Sequence, residues 1–292
     1  MRRRLISFLL LLAVGISSVQ AQTFDFSAPA PTGQTLYYKI LNDSLSVEVV
    51  APTSAWQGYS KPMGNLEIPS IVTDSTNMTS YVVRTIGDSV FFYCVDLSSV
   101  VIGDSITIIE SYAFYSTSRL DTVTLGSSVT RIETSAFNRS GLSNITIPEN
   151  VTYLGSESFG RCPLHTIRYN AKNCTYAGGH SLTSTTPFTY YDWNVNRVWR
   201  NSSIQNIIIG ESVKRIPSCL FGRIENVYSV VIPDSVVYID AYAFFSCPGL
   251  ASVTFGSSVR SVGSYAFEGC SNLSEIILND SLTTISQYAF AY

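Results

Sequence analysis

A unit of 22 or 23 residues recurs along most of this chain, and this repeat limits what the chain can fold into. Residues 120–132 read LDTVTLGSSVTRI and residues 250–262 read LASVTFGSSVRSV, and each copy is followed after five residues by a phenylalanine. The leading positions of the units are separated by 23, 22, 22, 40, 23, 23 and 23 residues, so one unit carries an insertion. These positions are Leu97, Leu120, Leu142, Leu164, Ile204, Val227, Leu250 and Leu273. A fixed period of this length predicts a solenoid, in which each unit buries its apolar side by stacking on its neighbours.

Each unit has three parts with different apolar patterns. The first part alternates apolar and polar residues, which is typical of a strand with Val123 and Leu125 inward and Thr122 and Thr124 outward. The second part, as in 129–132, points its first and fourth residues inward and predicts a very short second strand. The third part is an Ala-Phe pair with room for one 3₁₀ turn but not for a helix. We therefore expect a mainly β, right-handed solenoid with a parallel strand face and short second strands or 3₁₀ turns on the other side.

The sequence divides into a leader, a cap and the solenoid. Residues 1–21 combine a basic start, a short apolar run and a small-residue ending, which predicts a cleaved signal peptide. Residues 22–85 do not keep the period and are expected to form a β-rich N-terminal cap, with segments 36–40 and 45–50 as one hairpin and 66–69 and 81–84 as another. Residues 86–292 form the solenoid, with the expanded repeat at about 169–203.

The charge pattern limits the classes of partner. Loss of the three signal-peptide arginines takes the formal net charge from −3 to −6, and the remaining charges are scattered. A chain without a block of Lys and Arg is not expected to bind nucleic acid or anionic membranes. No second long apolar run follows the leader, so we expect no membrane insertion of the mature chain, which is exported to the periplasm, the cell surface or the medium.

Six cysteines in an exported chain raise the question of disulfides. Four of them lie three residues after the repeat aromatic, which favours small buried apolar residues over bridges. These four are Cys94, Cys162, Cys247 and Cys270. Cys162 and Cys174, which flank the start of the expanded repeat, are the one pair that spacing leaves open as a disulfide.

Catalytic and metal-binding patterns are not found. The two histidines, His165 and His180, do not form a metal-ligand spacing, and Cys162 with His165 lacks an orienting acid or an oxyanion donor. Neither a phosphate-binding glycine loop nor a nucleophile elbow occurs. We expect no enzyme activity, no catalytic residues, no metal and no cofactor.

Two surfaces are candidates for binding. The outward positions of the strands form a nearly uncharged ribbon, and the expanded repeat is rich in aromatic residues that either bind a ligand or pack on the edge of the solenoid. The candidate residues on the ribbon are Thr122, Thr124, Asn144, Thr146, Arg168 and Asn206, and those of the insertion are Tyr190, Tyr191, Trp193 and Trp199.

The repeat resembles that of the BspA-like leucine-rich repeat proteins, also called the Treponema-type or LRR_5 class. The resemblance lies in segments such as 232–239, reading IPDSVVYI, followed by AFFSC at 243–247. It implies a leucine-rich-repeat fold and an exported or surface protein of host-associated bacteria, where some members are adhesins for matrix proteins or other microbes. The family has no shared catalytic residues to carry over.

Three hypotheses of function follow. The leading one is a non-enzymatic adhesion or binding protein for protein or glycan partners on host or microbial surfaces. The second is a structural scaffold that self-associates through an uncovered end near Phe290, because the sequence stops within a unit; a fragment of a longer protein is the other explanation of that ending. The third is a glycan-binding module that uses the aromatic insertion.

Overall fold

The computed structural model describes residues 23–53, 56–178, 180–181, 197–200 and 203–291. In these residues the regular secondary structure consists of β-strands, which are joined by turns. The expected mainly β class is therefore confirmed, and the expected signal peptide lies outside the described residues.

The first strands of successive units pair in parallel and form the strand face. Three groups of three strands follow one another along the solenoid, and each group is paired in register apart from one shift between Gly64 and Asn65. The first group is β4 (Gly64–Ile68), β7 (Leu97–Ile102) and β9 (Thr122–Thr124). The second is β11 (Asn144–Ile147), β13 (Thr166–Tyr169) and β16 (Asn206–Ile209). The third is β18 (Ser229–Ile232), β20 (Ser252–Phe255) and β22 (Glu275–Ile277).

The expected second strands are two residues long and form their own parallel ladders. Their second residue is buried in most units, as at Ile132 and Val262, which confirms the predicted inward position. The first ladder is β8 (Ile108–Ile109), β10 (Arg131–Ile132), β12 (Tyr153–Leu154) and β14 (Tyr176–Ala177), which ends on the antiparallel β15 (His180–Ser181). The second is β17 (Arg215–Ile216), β19 (Tyr238–Ile239), β21 (Ser261–Val262) and β23 (Thr284–Ile285).

The N-terminal cap extends the first of these ladders, by parallel pairing next to the solenoid and by antiparallel pairing farther out. The expected hairpin of β2 (Thr35–Ile40) and β3 (Ser46–Val50) is present, with β1 (Phe26–Pro29) on its outer edge. The second expected hairpin is wrong in its pairing. Strand β6 (Thr79–Ile86) pairs with β5 (Ile71–Asp74), whereas β4 pairs in parallel with β7. The cause is that Leu66 and Ile68 already occupy the inward strand positions of a repeat, so parallel stacking begins at Gly64, inside the segment assigned to the cap.

A column of stacked aromatic rings runs through the core. The rings of Phe114 and Phe159 lie on either side of Phe137, with centroids 5.0 and 5.2 Å away and planes within 3° of parallel. Phe244, Phe267 and Phe290 repeat this stack at 5.1 and 5.2 Å. Because a strand spacing of about 4.8 Å nearly equals the distance at which such rings stack, backbone pairing and ring packing are satisfied together.

The Ala-Phe segments form a third backbone ladder, which we call the turn face. In each unit alternate residues donate their N–H groups to carbonyls of the next unit, as in Phe91 N to Ala113 O at 2.8 Å and Tyr93 N to Tyr115 O at 2.9 Å. Residues on both sides of the phenylalanine have left-handed backbone conformation, such as Tyr112 at φ 56°. The intervening N–H groups bond within their own unit, as in Phe92 N to Ser89 O at 3.1 Å. The donors that link two units therefore point to the following unit, and the acceptors of these links point to the preceding one.

This one-directional ladder explains what the cap must provide. The first unit presents carbonyls that no preceding unit can satisfy, and the cap places side-chain donors on them. The indole N–H of Trp56 donates to Val90 O at 2.7 Å, and the Lys61 ammonium donates to Phe92 O at 3.3 Å. Trp56 also stacks on Phe91, and Tyr59 packs partly buried beside it, so both belong to the core of the cap as expected.

The repeated cysteines behave as small buried residues. All six thiols are free, and Cys94, Cys162, Cys247 and Cys270 are buried. The thiols of Cys247 and Cys270 each contact the carbonyl oxygen of the phenylalanine in the preceding unit, Phe221 and Phe244, at 3.2 Å. The bridge left open between Cys162 and Cys174 is not present.

Replacement of Phe137 by alanine tests the aromatic column. We expect a loss of about 3–5 kcal/mol in the free energy of unfolding, because both ring faces lose a partner and a cavity opens in the core. Urea unfolding followed by circular dichroism measures it. The matched control is Tyr228→Ala, whose ring is exposed and which should stay within about 0.5 kcal/mol of the parent. Equal losses of unfolding free energy in the two variants would contradict a stabilising role of the aromatic column.

The Trp56→Phe variant tests the cap. It keeps an aromatic ring but removes the N–H that Val90 O accepts, so a buried carbonyl loses its donor at a cost of about 1–3 kcal/mol. The loss of stability should appear first at the N-terminal end, as faster hydrogen exchange of the Phe91 and Tyr93 amides. A repeat array opens first where its units are least stable. The control is Gln57→Ala, a change at an exposed neighbouring residue. An identical hydrogen-exchange pattern in both variants would refute the role of the Trp56 N–H in the cap.

Candidate functional site

The strand face is a surface built from parallel strands of successive units. Strand alternation sends every second side chain outward, and the six residues selected on the predicted ribbon are all exposed. These residues are Thr122, Thr124, Asn144, Thr146, Arg168 and Asn206. The predicted inward and outward assignment of the strands is thus confirmed, whereas what the surface binds stays a prediction.

Parallel register places the outward residues in rows across the strands. Asn144, Thr166 and Asn206 form one row, and Thr146, Arg168 and Ile208 form the next. Amide and hydroxyl groups therefore lie beside β-branched side chains, at spacings of about 4.8 Å set by the backbone. A face of this kind offers many weak hydrogen bonds and apolar contacts to a large partner.

A groove interrupts the strand face where β16 meets β18. These neighbouring strands are not joined by ladder pairing within the described residues, and a cleft of about 630 Å³ lies over the gap. We call it the strand-face groove. Its apolar part consists of Ile208, Tyr228 and Val231, which are 38%, 71% and 65% exposed. Gln205 and Glu211 supply polar groups at its edge.

The aromatic residues of the insertion separate into two groups. Tyr190, Tyr191 and Trp193 lie outside the described residues. Trp199 is 4% exposed and stacks on Phe159 with centroids 5.1 Å apart, so its selection as a binding residue is wrong. The alternative interpretation, packing against the solenoid, is the correct one for Trp199.

The physical reason for the position of Trp199 is that the column must continue after the insertion. Phe159 N donates to Val198 O at 3.1 Å, as the phenylalanine of a regular unit donates to the alanine of the next. Val198 and Trp199 therefore take the places of the Ala-Phe pair. A signal in the sequence could have found this, because Trp199 precedes the leading Ile204 by five residues, as Phe137 precedes Leu142.

Sequence reasoning missed a set of arginines on the turn face. Three units read Phe-x-Arg at the same repeat position, which places Arg139 and Arg161 on adjacent units and Arg223 beyond the unit of Trp199. Arg197 and Arg200 lie in the same region. Burial lowers the pKa of Arg197, and the nearby positive charges of Arg223 and Arg200 lower it further. We call these five residues the arginine patch. They are scattered in the sequence, and the solenoid brings them together.

The cysteine and histidine that could have formed a nucleophilic pair do not have the required environment. Cys162 is buried, and its thiol contacts Phe137 O at 3.0 Å, while His165 is exposed at the edge of the strand face. Burial raises the pKa of Cys162 to about 11 and that of Cys94 to about 12, so both stay protonated at neutral pH. In the part of the chain that is described, His, Cys, Asp and Glu side chains form no group of three that could hold a metal ion.

No helix within the described residues is long and apolar enough to cross a bilayer.

A profile of the family described as "BspA type Leucine rich repeat region" matches residues 67–187 and 195–292 in six copies. The chain belongs to the BspA-type leucine-rich repeat family. This confirms the resemblance and the leucine-rich-repeat fold, and the match covers both the regular units and part of the expanded repeat. Members of leucine-rich repeat families are in general binding or scaffold proteins.

Several solved structures are similar to this chain. A leucine-rich repeat protein from Bacteroides ovatus ATCC 8483 is 20% identical, with 90% of this chain and 79% of that chain covered at a TM-score of 0.38. The T. pallidum leucine-rich repeat protein is 19% identical, with 86% and 82% covered and a TM-score of 0.39. The pneumococcal vaccine antigen PcpA is 15% identical, with 89% and 71% covered and a TM-score of 0.41. A search of the curated proteins finds no match.

Proposed function

We propose that this chain is an exported, non-enzymatic adhesion or binding protein that holds a protein partner on its strand face at the strand-face groove. The observation that carries the proposal is the exposure of the apolar side chains of Tyr228, Val231 and Ile208 at a cleft of the strand face. Exposed apolar groups gathered in a concave site and rimmed by polar groups are typical of protein interaction surfaces.

The chemistry of the groove favours a protein over a small molecule. The site is open, and flat rows of hydroxyl and amide side chains continue from it along β13 and β11. A partner that filled the cleft with an apolar anchor would therefore also reach Asn206, Arg168 and Thr146. Central anchors of this kind carry most of the binding energy of an interface, while the surrounding polar contacts exclude water.

Export is supported by the leader of the sequence. Residues 1–21 have the basic start, the short apolar run and the small-residue ending that signal peptidases recognise. A place on the cell surface fits the family, of which one structural relative is described as a leucine rich cell surface protein from Faecalibacterium prausnitzii A2-165. Partners on host or microbial surfaces then become accessible.

The groove is tested by a binding screen followed by substitution. The mature chain is screened against immobilised extracellular-matrix proteins, mucins and whole bacterial cells, and we expect at least one protein partner. The variants Tyr228→Ala and Val231→Asp should then weaken that binding by about tenfold or more, because each removes an exposed apolar anchor.

The matched control is Val101→Asp, which puts the same charge at the same repeat position of the strand face, far from the groove. Its affinity should stay within about twofold of the parent. A screen without any protein partner, or equal losses in Val101→Asp and Val231→Asp, would refute the proposal.

Self-association is a second candidate, because one described unit leaves inward residues uncovered. Ile285 is about half exposed, whereas Ile239 and Val262 at the same repeat position are buried. A second copy stacked on this unit would bury Ile285 together with Phe290. Light scattering should show a mass that rises with concentration and that Ile285→Asp returns to the monomer, while the exposed cap residue Ile71→Asp does not. A concentration-independent monomer would contradict this candidate.

Glycan binding by the aromatic insertion rests on Tyr190, Tyr191 and Trp193, which lie outside the described residues, and it stays a prediction. Trp199 no longer supports it because its ring is part of the core.

A further inference from the structure

The turn face carries a second groove, which lies on a different side of the solenoid from the strand face. It has a volume of about 330 Å³ and is bounded by Tyr112 and Tyr115 on one side and by Glu157 and Arg161 on the other, with Asn138 among the residues that line it. We call it the turn-face groove. Nothing in the proposed adhesion function uses it.

One wall of the turn-face groove is an aromatic corner. The rings of Tyr112 and Tyr115 are 5.7 Å apart and inclined at 63°. Tyr115 is held in place by Phe92, which stacks on it at 5.1 Å and 11°. Tyr112 remains 39% exposed. A fixed and partly exposed tyrosine offers an apolar face and a polar hydroxyl to the same ligand.

The polar residues of the groove are oriented by their own contacts. Asn138 is only 2% exposed, and its Nδ2 donates to Glu157 Oε2 at 2.8 Å, which fixes the direction of the amide. The other oxygen of Glu157 accepts from Arg200. The Asn138 Oδ1 is buried and has no donor among the described residues, so a hydroxyl donor that reached it would offset an unsatisfied acceptor.

Two arginines beside the groove are unpaired among the described residues. Within the described residues, the guanidinium groups of Arg139 and Arg161 have no ion-pair partner, while Arg200 is paired with Glu157. Arg139 N donates to Gly160 O, and the two arginines occupy the same repeat position on adjacent units, whose backbones are about 5 Å apart along the solenoid. Two guanidinium groups carried on adjacent units attract an anionic group.

We propose that the turn-face groove binds an acidic oligosaccharide, with a sugar ring on Tyr112 and its anionic group on Arg161 and Arg139. A sugar ring has the apolar C–H face and the many hydroxyl groups that this combination of tyrosine, asparagine and glutamate accommodates. The anionic group is a carboxylate or a sulfate, both of which arginine binds through paired hydrogen bonds.

The charge distribution favours a glycan over nucleic acid or lipid. The mature chain is acidic overall, so a long polyanion is repelled outside the arginine patch, and a few arginines cannot replace the phosphate contacts that nucleic acids need. Membrane surfaces are bound by clusters of basic residues with an apolar or amphipathic element, which the turn-face groove does not have.

The test measures binding of defined oligosaccharides to the full mature chain by calorimetry at low salt. The probes are a hyaluronan octasaccharide, which carries carboxylates, a keratan sulfate octasaccharide, which carries sulfates, and a neutral N-acetylglucosamine hexamer. We expect one acidic probe to bind at least tenfold more tightly than the neutral one, and which of the two it is identifies the anionic group. Binding should weaken as salt is raised, because the contact is exposed.

Substitutions locate the contact. Arg161→Asn should weaken binding of the acidic probe about tenfold, and asparagine tolerates the left-handed backbone at this position, where φ is 57°. Tyr112→Asn should weaken binding several-fold. Arg260→Asn, an exposed arginine outside the patch, removes the same charge and should have no effect. If the Arg161→Asn variant does not fold, substitution of the exposed Arg139 by asparagine should weaken binding of the acidic probe several-fold.

The proposal is overturned if neither acidic probe binds, or if Arg161→Asn and Arg260→Asn lose affinity equally. It is also overturned if a twenty-nucleotide oligo-dT or phosphatidylglycerol vesicles bind as tightly as the acidic probe and depend on Arg161 in the same way. Because the strand-face variants Tyr228→Ala and Val231→Asp leave this groove intact, failure here is separate from failure of the adhesion proposal.

Discussion

The structure depends on one coincidence of distances. Backbone pairing between parallel strands repeats at about 4.8 Å, and the phenylalanine rings of successive units stack at 4.9 to 5.3 Å. A single translation from unit to unit therefore satisfies both the hydrogen bonds and the core packing. Since neither is satisfied within one unit, the units are stable only as a stack.

The turn face gives this stack a direction. The N–H groups that link units point to the following unit and their acceptors to the preceding one, so the two ends of the solenoid have different chemical needs. The cap meets the need of the first unit with the indole of Trp56 and the ammonium of Lys61. Some of the left-handed residues in this ladder have exposed side chains. Tyr112, Arg139 and Arg161 reach the surface from such positions.

Both proposed binding sites lie at outer positions of the repeat. The strand face presents rows of hydroxyl, amide and β-branched side chains, and the turn face presents tyrosines and arginines. The interior is mainly apolar, and burial raises the pKa of the Cys94 and Cys162 thiols, so these two stay protonated at neutral pH. The two grooves lie at irregular points: one at the missing β16–β18 pairing, the other beside the expanded repeat.

The sequence by itself determined the repeat, the inward and outward positions of its strands and the burial of the cysteines, because each follows from a short period that one unit contains. Tertiary structure decided what depends on neighbours. It paired β4 with β7 rather than with β6, and it placed Trp199 in the core because the column continues across the insertion. It also gathered arginines that are up to 84 residues apart, from Arg139 to Arg223, since stacking makes residues at equal repeat positions neighbours whatever the length of chain between them.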